Sequence, residues 1–232
     1  MKKIISYSLW GNKPMYTLGA IENVRTAQEY YPNWECWVYC AKDVSFDIIM
    51  KLNSFENTKV IQTKDEGNWK YTTKRFEAIS EPDVERVIFR DCDNRFSNRE
   101  KLAVNEWIKS GKTLHIMKDH PYHGGFPILA GQWGLSNGFK HNMKELLGTY
   151  SNLEQYHYDQ IFLSQYVWEL YKSDYILHDE IFNNSPFPAE RENYHFIGEP
   201  YNEFNKPVDP NHRKILMEFL NNETNKSNNS LG

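Results

Sequence analysis

Two different apolar periodicities alternate along the first 90 residues of this chain. Short runs rich in β-branched and aromatic residues predict strands, and the segments between them carry apolar residues at helical spacing. The predicted strands cover 2–9, 35–41, 58–63 and 84–90, and the predicted helices cover 16–31, 45–52 and 70–80. Strands separated by helices are joined by crossovers, which favour a parallel sheet with helices on both faces. We therefore predict an α/β fold with a mostly parallel central sheet.

The second half of the chain is less regular. Its apolar spacing predicts helices over 98–110, 141–149, 152–171 and 212–220, and strands over 113–117 and 173–178. The glycine-rich stretch 119–138 and the segment 183–211 are predicted to be irregular, and the polar tail 221–232 is predicted to be disordered. Because long irregular loops in a compact domain are often functional, the stretch 119–138 is a candidate part of a binding site.

Two carboxylates follow the strand predicted over 84–90. Asp91 and Asp93 are two residues apart, a spacing that places both side chains on one side of an extended chain. Like charges at this separation repel unless protons or a cation lie between them, and hard divalent ions such as Mg²⁺ and Mn²⁺ prefer oxygen ligands. The pair therefore predicts a divalent-metal site, and surface turn residues paired with Arg90 and Arg95 are the simpler alternative.

The known nucleotide fingerprints are missing. The loop after the first predicted strand contains a single glycine, Gly11, so there is no G-x-G-x-x-G, and no G-x-x-x-x-G-K-[ST] occurs in the chain. Ligands of parallel α/β sheets bind beyond the carboxyl ends of the strands, where this loop and the two carboxylates would meet. A nucleotide bound there would depend on a metal and on side chains to hold its diphosphate.

Two further motifs have weaker chemical meaning. His120 and His123 have a spacing that occurs in zinc sites, but no cysteines accompany them, so zinc is not favoured. Gly124 and Gly125 would let the backbone approach a ligand closely. Asp159 lies near the start of a predicted helix, where the helix dipole favours a carboxylate and from which the side chain could reach the same edge of the sheet.

Composition narrows the class of partner and the compartment. The net charge is −4, so no basic surface predicts a nucleic-acid partner. The three cysteines, Cys36, Cys40 and Cys92, form no paired framework and indicate a reducing compartment. No apolar run approaches the ~20 residues of a membrane-spanning helix, and the apolar start of the chain is too interrupted for a signal peptide. We expect a cytoplasmic location, in the host cytoplasm if the source is viral, with peripheral membrane contact left open.

The order of these motifs resembles the GT-A glycosyltransferases, which carry an Asp-x-Asp motif and use nucleotide-sugar donors. The resemblance rests on Asp91-Cys92-Asp93 after the strand VERVIF, on the run DQIFL at 159–163, and on His178 at the end of a late strand. The first-strand segment IISYSLWGNKPMY and the segment GGFPILAGQWG resemble small glycosyltransferases of capsule synthesis and of large DNA viruses.

The resemblance implies a GT-A-like single domain over 1–220, with a small acceptor-side subdomain. Residues 1–97 would form the nucleotide-sugar-binding half, and residues 98–220 the acceptor-binding half. By analogy Asp93 is the main ligand of Mn²⁺ or Mg²⁺, Asp91 is its partner, and His178 completes the metal shell. The donor would be a nucleotide-diphosphate sugar, with UDP favoured, and the acceptor a glycan or glycoconjugate.

The same resemblance implies roles for other residues. Tyr7 and Trp10 would stack on the base, Arg75 would approach the diphosphate or the donor sugar, and Gln160 would lie near the donor. Asp159 would deprotonate the acceptor hydroxyl in an inverting enzyme, whereas in a retaining enzyme the Asp159-Gln160 pair would lie near the donor sugar.

Asp119 is the alternative base. With Asp119 in that role, His120, His123 and Trp133 would shape the acceptor site. The sequence does not separate inverting from retaining chemistry.

Two other functional classes remain open at this stage. A phosphohydrolase can use Asp-x-Asp as nucleophile and acid, but its motif usually follows the first strand with Thr or Val two residues later. Here the motif is at 91–93 and Arg95 stands at that later position, which counts against this class. A non-catalytic carbohydrate- or nucleotide-binding module is the other alternative, because the chain is rich in aromatic residues, with 7 Trp, 15 Tyr and 13 Phe.

Overall fold

A seven-stranded sheet forms the centre of the molecule. The computed structural model describes residues 1–150 and 156–229. The strands follow the order β3-β2-β1-β4-β6-β5-β7 across the sheet. Their bounds are β1 Lys2–Leu9, β2 Glu35–Cys40, β3 Thr58–Gln62, β4 Val84–Arg90, β5 Leu114–Lys118, β6 Gln132–Ser136 and β7 Tyr175–Asp179.

Helices cover both faces of this sheet, so the predicted α/β fold is confirmed. The helices are α1 Pro14–Tyr30, α2 Phe46–Asn53, α3 Asn98–Ser110, α4 Met143–Thr149, α5 Tyr158–Phe162, α6 Trp168–Tyr171 and α7 Asn211–Asn229. A π-helical turn, Leu163–Val167, joins α5 to α6, and the segment Trp69–Ser80 is a 3-10 helix. Within residues 1–150 and 156–229, no helix is both long and apolar enough to cross a bilayer.

Local sequence explains where several helices begin and end. Pro14 opens α1, where its fixed φ suits the first turn. The Ser97 side chain caps α3 by accepting a hydrogen bond from the Glu100 backbone N–H. Gly111 ends α3 with a φ of 69°, a conformation that glycine adopts without strain.

Strand direction brings several strand ends to one edge of the sheet. Neighbours β3, β2, β1 and β4 are parallel, β6 is antiparallel to both β4 and β5, and β7 is parallel to β5. The carboxyl ends of β1, β4 and β5 and the amino end of β6 therefore share an edge. This edge is where α/β sheets bind ligands.

The main difference from the sequence prediction is β6, which lies in the stretch expected to be irregular. Gly134 makes the strand pattern of 132–136 hard to recognise. The structure explains this glycine, because a Cβ there would lie 2.9 Å from both the Trp107 ring and the Val87 carbonyl oxygen. A central strand is thus packed too tightly for a side chain at this position.

The chain ends also differ from the prediction. The last helix, α7, continues to Asn229, so it includes much of the tail predicted to be disordered, and residues 230–232 lie outside the described part of the chain. The helix predicted over 152–171 is described from Tyr158 onward, and its first residues fall in the segment 151–155, which the structure does not describe.

Two apolar layers sandwich the sheet. On one face Trp133 stacks on Phe89 with ring centroids 4.2 Å apart and meets the edge of Phe76 at 5.1 Å. The other face packs against α1, α2 and α3 and includes Tyr7, Val24 and Trp107. Each layer buries large side chains completely, so the sheet is fixed from both sides.

Replacing Trp133 tests whether β6 is a central strand. We expect Trp133→Ala to lower the free energy of unfolding by about 3–5 kcal/mol, because it leaves a cavity among Phe76 and Phe89. Phe46→Ala is the control, since that ring is 70% exposed, and it should change stability by less than about 0.5 kcal/mol. Urea unfolding of both variants measures the difference. Equal stabilities would contradict a buried β6.

Candidate active site

A cleft runs along the edge where the strand ends meet. Its volume is about 1170 Å³. The loop after β1, the loop after β4, the turn after β5 and the start of α5 all contribute side chains to it. Since β1, β4, β6 and β5 follow one another across the sheet, the end of β1 and the end of β5 lie on opposite sides of the two carboxylates.

Asp91 and Asp93 both line this cleft, directly after β4. The Asp91 side chain is 44% exposed, whereas Asp93 is largely covered. Burial, and the charge of Asp91 beside it, raise the pKa of Asp93 to about 7. The two acids therefore crowd each other in a way that a bound cation would relieve.

Gly131, which has no side chain, leaves space for the Asp91 carboxylate. A Cβ on Gly131 would lie 2.0 Å from Asp91 Oδ2, so only glycine lets the backbone before β6 come this close to the carboxylate. The Arg90 guanidinium donates to the Gly131 carbonyl oxygen at 3.1 Å and forms a buried ion pair with Glu100 at 3.0 Å. The sequence analysis did not identify Gly131, because its importance depends on a contact between distant segments.

Arg75 lies between the acids from the two halves of the chain. Its guanidinium is 3% exposed and donates to Asp91 Oδ1 at 2.5 Å and to Asp159 Oδ2 at 3.2 Å. The 3-10 segment that carries Arg75 is held on β1, because the Arg75 N–H donates to Ser8 Oγ and Ser6 Oγ donates to the Arg75 carbonyl oxygen. Arg75 thus lines the cleft, with its charge already matched by carboxylates.

Asp159 and Gln160 stand in the first turn of α5, at the cleft wall. Burial raises the pKa of Asp159, and the nearby Arg75 charge opposes that shift. The Gln160 backbone N–H donates to Asp159 Oδ1 at 2.9 Å, and the Gln160 side-chain amide donates to His157 Nδ1 at 2.7 Å. The backbone bond, together with the Arg75 ion pair, fixes the orientation of the Asp159 carboxylate.

Of the two aromatic residues predicted to stack on a base, only Trp10 lines the cleft. Tyr7 is fully buried in the layer under α1 and α3, so its predicted stacking role is wrong. Successive strand residues point to opposite faces, and it is Ser6 and Ser8 that face the 3-10 segment. Trp69 and Tyr156, which the sequence analysis missed, line the cleft beside Trp10.

The prediction that Asp119 is the alternative catalytic base is wrong. Its carboxylate is fully buried and does not line the cleft. It accepts hydrogen bonds from Arg99 at 3.0 Å, from Arg191 at 2.6 Å and from the Ile197 backbone N–H at 3.0 Å. A carboxylate engaged in this way holds the segment after β7 in place, which is a structural task.

His178, the predicted third metal ligand, also lies outside the cleft. Its ring is buried on β7, where one nitrogen is 2.9 Å from His115 Nε2 and the other is 3.3 Å from Glu106 Oε2. Burial lowers the pKa of His178, and Glu106 opposes that shift. The prediction fails because the position at a strand end does not determine which face of the sheet a side chain occupies.

The three residues linked to an Asp119-based acceptor site separate in the structure. Trp133 is part of the core, and His120 is buried with its Nε2 donating to the His212 carbonyl oxygen at 3.0 Å. Only His123 lines the cleft.

The segment 198–201, to which the sequence analysis assigned no function, lies beside the carboxylates at the wall of the cleft. Gly198 lines the cleft, and its carbonyl oxygen accepts a hydrogen bond from Asn94 at 3.1 Å. The Tyr201 N–H donates to the Asp93 carbonyl oxygen at 2.8 Å. Between them, the buried Glu199 pairs with Arg213 of α7 at 2.6 Å, so α7 anchors this segment beside Asp93.

The carboxylate pair is what the cleft offers a metal ion. No group of three or more His, Cys, Asp or Glu side chains is arranged as a metal site within residues 1–150 and 156–229. Two carboxylates without a third protein ligand suit an oxygen-preferring ion such as Mg²⁺ or Mn²⁺, which commonly keeps waters and substrate phosphates as its other ligands.

Comparison with known proteins identifies the fold. No model of a known protein family matches the sequence, and no curated protein matches it either. A solved glycosyltransferase involved in glycosylation of the major capsid of the virus PBCV-1 superposes with a TM-score of 0.51 and 15% identity, over 78% of this chain and 82% of that one. The galactosyltransferase LgtC, solved with donor and acceptor sugar analogues, superposes with a TM-score of 0.51 and 13% identity, over 94% and 95% of the two chains. The chain therefore has the GT-A glycosyltransferase fold, as its sequence resemblance implied.

Substitution of Asp119 separates a structural role from a catalytic one. We expect Asp119→Asn to lower the free energy of unfolding by about 3–5 kcal/mol, because it removes the partner of two buried arginines. Asp174→Asn is the control, since Asp174 forms an exposed pair with Lys112 and should cost less than about 1 kcal/mol. Urea unfolding compares them, and an undiminished stability of Asp119→Asn would contradict the structural role.

Proposed function

We propose that this protein is a metal-dependent glycosyltransferase that moves a sugar from a nucleotide-diphosphate sugar, with UDP favoured, to a glycan or glycoconjugate acceptor. One observation carries the proposal. In a GT-A fold, Asp91 and Asp93 line the main cleft directly after β4, and Asp159 approaches them from α5 through Arg75. Carboxylates from distant segments thus converge on one cleft, an arrangement typical of an active site.

The metal ion in this proposal is Mn²⁺ or Mg²⁺, held by Asp93 with Asp91 as its partner. The fit rests on the position of the two carboxylates, which line one cleft directly after β4, and burial together with the Asp91 charge raises the pKa of Asp93, as expected for two crowded acids. When bound, such an ion supplies positive charge to the diphosphate leaving group.

The chain's own residues bind and orient the donor. Trp10 and Trp69 offer aromatic faces for the base near the end of β1, with ring centroids 6.3 Å apart. Lys13 lines the same end of the cleft and offers an ammonium group to a phosphate. Arg75 keeps Asp91 and Asp159 at a fixed separation, which sets the distance between the metal-binding pair and the catalytic carboxylate.

Asp159 is the group to which we assign the proton transfer. The reaction joins an acceptor hydroxyl oxygen to the anomeric carbon of the donor sugar and breaks the bond from that carbon to the nucleoside diphosphate. The hydroxyl proton passes to the Asp159 carboxylate. Burial raises the pKa of Asp159, which makes it a better proton acceptor than an exposed aspartate.

Replacement of Asp93 tests the metal-binding part of the proposal. We expect Asp93→Asn to abolish Mn²⁺-dependent binding of UDP in isothermal titration calorimetry. The same variant should be no less stable than the wild type without metal, because it removes a carboxylate crowded by Asp91. Asp83→Asn, an exposed aspartate paired with Lys2, is the control and should bind UDP normally. Unchanged metal-dependent binding in Asp93→Asn would eliminate Asp93 as a ligand.

Replacement of Asp159 tests the catalytic assignment. Asp159→Asn keeps the shape of the side chain and should retain donor binding while transfer falls by about 10²–10⁴-fold, the usual contribution of a general base. Asp47→Asn, an exposed aspartate in the first turn of α2, is the matched control. Transfer is measured as release of nucleoside diphosphate in the presence of acceptor. Full transfer by Asp159→Asn would exclude the assignment.

A further inference from the structure

The end of the cleft nearest β5 is lined by aromatic side chains and imidazole rings. The turn that follows β5 contributes Tyr122, His123, Gly125 and Phe126 to the cleft wall. Tyr156 and His157, directly before α5, add two further rings to the wall between this turn and Trp69. Among the described residues that line this part of the cleft, none carries a carboxylate, an ammonium or a guanidinium group, in contrast to the centre with its three acids and Arg75.

His123 presents an N–H to this end of the cleft. Its Nδ1 accepts a hydrogen bond from the Asp119 backbone N–H at 3.0 Å, so the ring proton resides on Nε2. Within the described part of the chain, the only hydrogen bond of the His123 ring is the one at Nδ1, and the ring lies on the cleft wall. The side chain is thus held as a hydrogen-bond donor for a ligand oxygen.

The surroundings of His123 keep its imidazole neutral. Burial lowers the pKa of His123 to about 3, and the nearby His120 and Lys118 act in the same direction. Lys118 itself is buried and does not line the cleft. Among the described residues of the wall, a ligand at this end therefore meets a neutral N–H donor and no positive charge.

Aromatic rings extend the wall from the donor end to this turn. Trp69 meets Tyr156 at 5.0 Å between ring centroids, Tyr156 meets His157 at 4.0 Å, and His157 meets Phe126 at 5.4 Å. Tyr122, which is 64% exposed, stands at the outer side of the turn. We call the set Tyr122, His123, Phe126, Tyr156 and His157 the aromatic end of the cleft.

We propose that the aromatic end of the cleft binds a neutral sugar unit of the acceptor, with Phe126 packing on the sugar and His123 Nε2–H donating to one of its hydroxyl oxygens. The inference rests on the proposed function, and it narrows the acceptor to a glycan with an uncharged sugar at the reacting position. A pyranose presents C–H groups on its faces and hydroxyls on its edge, and this matches aromatic rings beside a neutral donor.

Charge argues against an anionic acceptor group at this place. A phosphate or carboxylate buried beside aromatic rings requires a cation to balance its charge. Arg75, at the centre of the cleft, is bound to Asp91 and Asp159, and Lys13 belongs to the loop after β1, at the other end. An acidic sugar or a phosphorylated acceptor would thus lose its hydration without gaining an ion pair.

The test is saturation-transfer NMR with small saccharide probes. Neutral probes are the methyl glycosides of glucose, galactose and N-acetylglucosamine, and anionic probes are methyl glucuronide and glucose 6-phosphate. The protein is the full chain with UDP and Mg²⁺ present. The variants are His123→Leu, which removes the N–H, His123→Gln, which keeps a donor, and Phe126→Ala, with Phe46→Ala as an exposed aromatic control away from the cleft.

We expect saturation transfer to at least one neutral glycoside and markedly less to the anionic probes. His123→Leu and Phe126→Ala should each weaken binding by about tenfold, the loss of one good contact, while His123→Gln and Phe46→Ala bind like the wild type. The thermal shift produced by UDP with Mg²⁺ should be the same in every variant, which shows that the donor end is intact.

Three results would overturn the inference. They are no transfer to any neutral glycoside in the wild type, equal or stronger transfer to the anionic probes, and binding of neutral probes that is unaffected in both His123→Leu and Phe126→Ala. The failure of the broader proposal looks different. A protein that binds neutral glycosides but shows no shift with any nucleotide and metal would retain the sugar subsite and lose the transferase assignment.

Discussion

One buried guanidinium links the two halves of the cleft. Arg75 bonds to Asp91 after β4 and to Asp159 at the start of α5, residues that are 68 positions apart in the chain. Without this cation, three carboxylates would face one another in a partly buried space, and their mutual repulsion would be strong. The position of Arg75 depends in turn on its hydrogen bonds to Ser6 and Ser8 of β1. Hydrogen bonds and ion pairs through Arg75 therefore connect β1, the loop after β4 and α5.

Around this centre the cleft changes character from one end to the other. The end near β1 combines tryptophans with Lys13, the middle carries acids, and the described residues at the end near β5 are aromatic and uncharged. Such a gradient suits a reaction whose donor is an anionic nucleotide and whose acceptor is neutral. The Glu199–Arg213 pair extends the unit to α7, because it holds the segment whose backbone bonds to Asn94 and Asp93.

The sequence predicts the sheet better than the site, for physical reasons. Strands such as 84–90 and helix ends such as Gly111 depend on local composition, and the structure confirms them. The sequence does not predict strand β6, because Gly134 interrupts its apolar pattern. That glycine is required by close packing against the Trp107 ring, which is 27 positions away in the sequence. Long-range packing of this kind leaves no local periodicity to recognise.

The errors in the site have a common origin as well. Asp119 and His178 stand at or just after strand ends, as active-site residues often do, but their partners are Arg99, Arg191 and His115 in the interior. The alternation of side chains along a strand already indicates that Tyr7 points to the face opposite Ser6 and Ser8, and therefore away from the cleft. Gly131 and Tyr156, by contrast, come from segments whose place in the cleft only the tertiary structure defines.

In the function that we propose, Asp91 and Asp93 hold a divalent ion through which the cleft binds a nucleotide. A thermal-shift panel of nucleoside diphosphates and nucleotide sugars, each with Mn²⁺, Mg²⁺ or EDTA, tests it most directly, because a ligand that binds only the native state raises its apparent stability. We expect stabilisation by one class of nucleotide, with UDP favoured, and we expect it to disappear with EDTA. A folded protein that shows no shift with any nucleotide and metal would contradict the claim and make the carboxylate pair a structural turn.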